Sequence, residues 1–147
     1  MLQDYVSDVT DPNSNHFIKE EDRIVTFDMD GTFIGELYPT YFEFIIKNLK
    51  TNKVLQISQE IGKVPVLSFG NSSGDEAMHN YCLGNQKYRT ATFMLVADDD
   101  VRDHADLEEG DRREAKWRSA GYHVISMKND FKTIYGEGVK KTEFKFD

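Results

Sequence analysis

The chain has one cysteine, three prolines and one tryptophan among 147 residues, and too few cations to balance its acids. Each scarcity excludes something. Cys82 alone cannot close an internal disulfide, and no zinc-type Cys/His spacing surrounds it, so a buried structural thiol is expected. With 18 Lys and Arg against 26 Asp and Glu, the net charge is -8. Nucleic acid and an anionic membrane both require clustered Lys and Arg, so neither is expected as a partner. The same acidic excess repels phosphorylated ligands, so a phosphate site would need positive charge supplied locally by a metal, a lysine or a helix N-terminus. No apolar run approaches the roughly 20 residues of a membrane span. Residues 1–21 lack the basic start and apolar stretch of a secretory leader, which makes a cytoplasmic location the default expectation. His16, His79, His104 and His123 show no mutual spacing that suggests a metal or a triad, and they read as surface or satisfied core residues.

What is present suits one folded domain. Apolar residues make up 39% of the chain and aromatics 12%, which is enough to bury a core at this length. A single domain over 1–147 is expected, with a helix and loop in 1–22 and an irregular tail in 128–147. Leu2, Tyr5, Val6 and Val9 follow helical spacing until Asp11-Pro12-Asn13-Ser14-Asn15 stops the pattern. Ile24-Val25-Thr26-Phe27 reads as a buried strand. Pro39 starts a helical pattern at Phe42, Ile45, Ile46 and Leu49 that resumes at Val54, Leu55, Ile57 and Ile61, as one long helix or two meeting at Thr51-Asn52. Further strands are expected at 64–69, 93–97 and 122–126. Helical patterns fall between them at 77–82 and 107–120. Strands alternating with helices imply right-handed crossovers, hence an α/β, mainly parallel sheet of about four strands flanked by helices.

Two motifs carry the chemistry. The first strand runs into Asp28-Met29-Asp30-Gly31-Thr32, and the second into Gly70-Asn71-Ser72-Ser73-Gly74-Asp75. Both therefore emerge at the carboxyl ends of strands, where ligands bind in open parallel sheets. Taken alone, the first could be a solvated acidic turn and the second a helix-capping turn. Asp98-Asp99-Asp100 follows the third strand in the same way and reads as a solvated acidic turn.

The two motifs, in their order and strand context, resemble those of the haloacid dehalogenase-like superfamily of aspartate-nucleophile phosphohydrolases. Nearly the whole chain can be laid on that reduced Rossmann-like core. The resemblance implies that Asp28 is the nucleophile and that Asp30 is the acid/base beside it. It further implies that Mg²⁺ is held by Asp28, Asp30, Asn71 and Asp75, Asn71 standing where many relatives carry an aspartate. The family also expects a lysine ahead of the second motif. Lys53 is the better placed and Lys63 the rival. Backbone amides of Met29 and Asp30 would cradle a phosphate. The segment that bears a phosphate-binding Ser or Thr in the family, and the cap domain, have no room between Thr32 and Lys53; Ser72 and Thr32 are the nearest substitutes.

The expected activity is a Mg²⁺-dependent phosphomonoester hydrolase acting on small molecules, promiscuous because it is capless. A degenerate metal- or phosphate-binding module, or a phosphotransfer protein whose aspartyl-phosphate turns over slowly, is the alternative. Losing the outer strands would leave the first strand as an apolar edge, so a homodimer through that strand or the 39–61 helix is also expected.

Overall fold

In a computed structural model, residues 1–28 and 50–142 are described. Helix α1 (Leu2–Thr10) precedes strand β1 (Val25–Phe27), and helix α2 (Thr51–Glu60) leads to strand β2 (Leu67–Gly70). A 3-10 turn at Ser73–Asp75 opens directly into helix α3 (Glu76–Leu83), followed by strand β3 (Ala91–Val96). Helix α4 (Leu107–Ser119), strand β4 (His123–Ser126) and the single turn α5 (Met127–Asp130) complete the order. The four strands form one parallel sheet in the order β1-β2-β3-β4, flanked by helices, an α/β Rossmann-like arrangement. The second strand starts at Leu67 rather than 64, because Pro65 has no N–H to give a ladder. Ser126 turns what reads as the start of an irregular tail into α5, its side chain accepting from the Asn129 N–H at 3.0 Å. Among the described residues, no helix is long and apolar enough to cross a membrane.

The chain divides into two compact units, Met1–Phe93 and Met94–Asp147. In the first, α1 buries only Tyr5 and Val9 of its apolar stripe, while Leu2 and Val6 stay exposed. Tyr5 Oη donates to the carbonyls of Val66 at 2.8 Å and Arg89 at 3.0 Å, so this helix is tied down by a phenol as much as by packing.

The register of this unit's strands sorts side chains by type. Val25, Thr26 and Phe27 lie opposite Leu67, Ser68 and Phe69. The Ala91 N–H bonds the Val66 carbonyl, which in a parallel ladder sets Thr92 beside Ser68 and Phe93 beside Phe69. Because alternate residues face opposite ways, one face carries the stacked rings of Phe27, Phe69 and Phe93, with centroids 4.6 and 5.1 Å apart. The other face carries a row of hydroxyls, Thr26, Ser68 and Thr92. Asp28, two residues beyond Thr26, follows that row.

The second unit is built on Met94, Val96, Trp117 and Tyr122, all buried, with Val124 packed against them. Gly110 lets α4 approach the strand end: a Cβ there would lie 3.1 Å from the Ala97 carbonyl oxygen.

Candidate active site

Three charged side chains from three elements meet in the first unit. Asp28 follows β1 and is 8% exposed, its N–H bonded to the Phe69 carbonyl at 2.9 Å, which extends the ladder just to the point where the carboxylate emerges. Lys53 sits in the first turn of α2, which packs on α3. Asp75 ends the 3-10 turn that opens into α3 and is wholly buried. Lys53 Nζ donates to Asp28 Oδ1 and, at 2.6 Å, to Asp75 Oδ1. One ammonium thus bridges two carboxylates.

Asp75 is held by more than that bridge. Its Oδ2 accepts from the backbone N–H of Asn71 at 3.0 Å, from the Ser72 N–H at 2.9 Å and from Ser72 Oγ at 3.1 Å. Ser72 Oγ in turn accepts from the Gly74 N–H, completing a capping box. Gly70 makes room for it. A Cβ on Gly70 would lie 2.6 Å from Asp75 Cβ, so any other residue would push this carboxylate aside. Asn71 and Ser72, singled out from the sequence as a metal ligand and a phosphate ligand, enter here through their backbone amides and the Ser72 hydroxyl as the mould around Asp75.

The electrostatics follow from burial. Desolvation pushes Lys53 toward neutrality, but its hydrogen bonds and Coulomb attraction to Asp28 and Asp75 outweigh this and raise its pKa above the ordinary lysine value. The rival Lys63 lies elsewhere, with Nζ donating to the Glu21 carbonyl at 2.5 Å and to Asp22 Oδ1 at 2.9 Å. Met29, Asp30 and Thr32, the remaining residues proposed from the first motif, lie outside the described residues, as does the 39–49 part of the expected 39–61 helix.

Among the described residues, no three Asp, Glu, His or Cys side chains gather closely enough to enclose a metal. Two carboxylates do converge on one cationic centre, and oxygen donors of this kind suit a hard divalent cation. The donor chemistry fits such an ion, and Asp28 and Asp75 are the described residues that would hold it.

One element of the surroundings escapes motif reading. His79, one turn after Asp75 on α3, is fully buried, and its Nδ1 lies 2.6 Å from Ser68 Oγ, itself fully buried. Burial holds the imidazole neutral, with a pKa lowered to about 4; the charge of Asp75 opposes that shift and that of Lys53 adds to it. The signal was present in the sequence, as a His four residues after Asp75 and a polar residue inside an apolar strand, but it is indistinguishable there from a surface position. Cys82 is buried, as its isolation suggests, with its thiol pushed up to about 11 by desolvation.

The acidic run after β3 is not a solvated turn. Asp99 is 3% exposed and accepts from the N–H groups of Val101 at 3.0 Å and Arg102 at 2.8 Å and from Arg102 Nε. Asp98 accepts from Ser126 Oγ and the Lys128 N–H. Both carboxylates act as caps for loops.

Comparison with protein-family models and with curated proteins returned no match for this chain.

Proposed function

We propose that the chain is a phosphomonoester hydrolase working through an aspartyl-phosphate on Asp28. The observation that supports this reading most directly is the Lys53 bridge. It ties a carboxylate emerging from β1 to one emerging after β2, at the strand ends where the haloacid dehalogenase-like resemblance requires the two motifs to meet. Lys53 holds Asp28 in place through an ion pair. A carboxylate is a weak nucleophile that gains most from being held in line with the phosphorus.

In the first half-reaction an Asp28 oxygen forms a bond to phosphorus while the ester P–O bond breaks, and the departing oxygen takes a proton from Asp30. Water then attacks the same phosphorus. Its proton goes to Asp30, the Asp28 carboxylate leaves, and inorganic phosphate is released, so both residues are restored. Lys53 faces the phosphoryl oxygens during both steps, and Thr32 stands as the hydroxyl donor nearest in sequence, the Ser72 hydroxyl being spent on Asp75 Oδ2. A magnesium ion held by Asp28, Asp30, Asn71 and Asp75 would neutralise phosphate charge when bound, which an acidic chain needs.

Asp28→Asn tests the reading. The wild type should hydrolyse a generic aryl phosphate in the presence of Mg²⁺, and the variant should lose at least about a thousandfold. Retained activity in the variant would sink the assignment of the nucleophile. A competing reading is a metal- or phosphate-binding module without turnover, favoured by the complete hydrogen bonding of Asp75. Phosphate or Mg²⁺ binding by a wild type that hydrolyses nothing would decide for it.

The same reading includes a homodimer through β1 or the 39–61 helix. Its support is that β1 ends the order of the described strands and exposes Val25 to 40%. A monomer in sedimentation at micromolar concentration would remove it.

A further inference from the structure

We propose that Ser68 and His79 form a positioning pair that fixes the depth of α3 against β2 and, through it, the place at which Asp75 meets Lys53. The inference rests on the proposed role of the Asp28, Lys53 and Asp75 bridge, and it concerns residues that neither motif contains.

The geometry of two attachments carries it. Along β2, Ser68 and Gly70 are two residues apart and face the same way. Asp75, at the N-cap of α3, and His79 on α3 are four apart and fall on one side of the helix. Gly70 meets Asp75 in a contact so close that no Cβ fits between them. Ser68 meets His79 one step further back, through a 2.6 Å hydrogen bond between two fully buried groups. Two points of contact fix both the position and the tilt of a helix on a strand, where one would leave it free to rock. Asp75 is the first residue this helix delivers to the site.

The chemistry of the second attachment is unusual for a core. Ser68 lies in the middle of the hydroxyl row, and the hydroxyls on either side of it, Thr26 Oγ1 and Thr92 Oγ1, are buried with no hydrogen-bond partner among the described residues. Each such orphan costs stability. A directional hydrogen bond, unlike an apolar contact, admits only one seating of the helix. Slippage by a fraction of an ångström is tolerable for burial but not for a nucleophile held through a three-group bridge.

Two readouts separate this inference from the hydrolase reading. The first is the side-chain ¹H–¹⁵N resonance of the Lys53 ammonium, which reports the bridge whether or not the protein hydrolyses anything. The second is kcat and KM for an aryl phosphate with Mg²⁺. His79→Leu should shift or broaden the Lys53 signal and lower kcat about tenfold with KM little changed. His79→Asn, whose amide can stand in for Nδ1, should restore both. A folded His79→Leu protein with the Lys53 signal of the wild type would overturn the proposal. Should His79→Leu fail to fold, Ser68→Ala decides by the same signal, a shift supporting the pair and an unchanged resonance overturning it. If the wild type shows the Lys53 signal but no hydrolysis, the hydrolase reading falls and the signal alone still settles the pair.

Discussion

Two clusters of carboxylates follow strands in this chain, and they are built for different work. Around Asp28 and Asp75, the shared partner is the primary ammonium of Lys53, a compact charge on a flexible stem. Around Asp99, the partner is the guanidinium of Arg102. Its remaining N–H groups reach the carbonyls of Met127, Lys128, Phe131 and Lys132 at 2.8 to 3.2 Å. Arg102 thereby pins the chain after β4 to the loop after β3, and every donor in its fork is spent on main chain or on Asp99. Among the described residues, the Lys53 ammonium is spent on two carboxylates. A charge engaged only with side chains can be shared with a ligand. A fork woven into five backbone and side-chain acceptors has nothing left to offer one. Acidic runs after strands are thus equivocal until the partner is known.

The largest effect should come from breaking the first cluster. Lys53→Met leaves Asp28 and the fully buried Asp75 without their shared counter-charge, so urea unfolding should reveal a loss of about 3–5 kcal/mol together with loss of aryl phosphate hydrolysis. If stability is unchanged, the bridge is not what holds these carboxylates in place. A more local effect is expected in the second cluster. Arg102→Ala should accelerate trypsin cleavage within residues 127–142 by roughly tenfold while hydrolysis stays at the wild-type rate. A fall in hydrolysis would erase the distinction drawn between the two clusters.

The pH dependence sharpens the contrast most gently. Lys53 titrates above its ordinary value, so its contribution to stability is complete below about pH 10.5 and is lost as pH rises through the raised folded value. Asp99 behaves oppositely. Backbone hydrogen bonding with Arg102 foremost, then the Arg102 side chain, lowers its pKa against desolvation. Its contribution is therefore complete above the ordinary aspartate value and is lost as pH falls through the lowered one. Residue-resolved hydrogen exchange should accordingly show the first cluster loosening in alkali and the second in acid; the reverse order would contradict the partners assigned here.

The four-stranded parallel sheet was legible because each of its strands is a run of β-formers separated by helical periodicity, and those are local properties. The placement of the two motifs was legible for the same reason, since Asp28 directly follows β1 and Asp75 closes the turn after β2. Asp99 was misread. Nothing near Asp98-Asp99-Asp100 in the chain announces that Arg102 will also reach carbonyls some 25 to 30 residues away.

The sequence reads His79 as a surface or a satisfied core residue, and the structure makes it the second. A lone histidine on a mixed helix looks alike whether it faces water or a serine, and only packing distinguishes the two. The sequence by itself determined which residues could form strands, where the acids would emerge and that a lysine near residue 53 was available. Tertiary structure alone decided that Lys53 rather than Lys63 reaches Asp28, that Gly70 exists to admit Asp75, and that Ser68 and His79 meet. Each of those depends on α2 or α3 docking on another element. Docking is set by close-packed contacts between residues distant in the chain, a property no local pattern encodes.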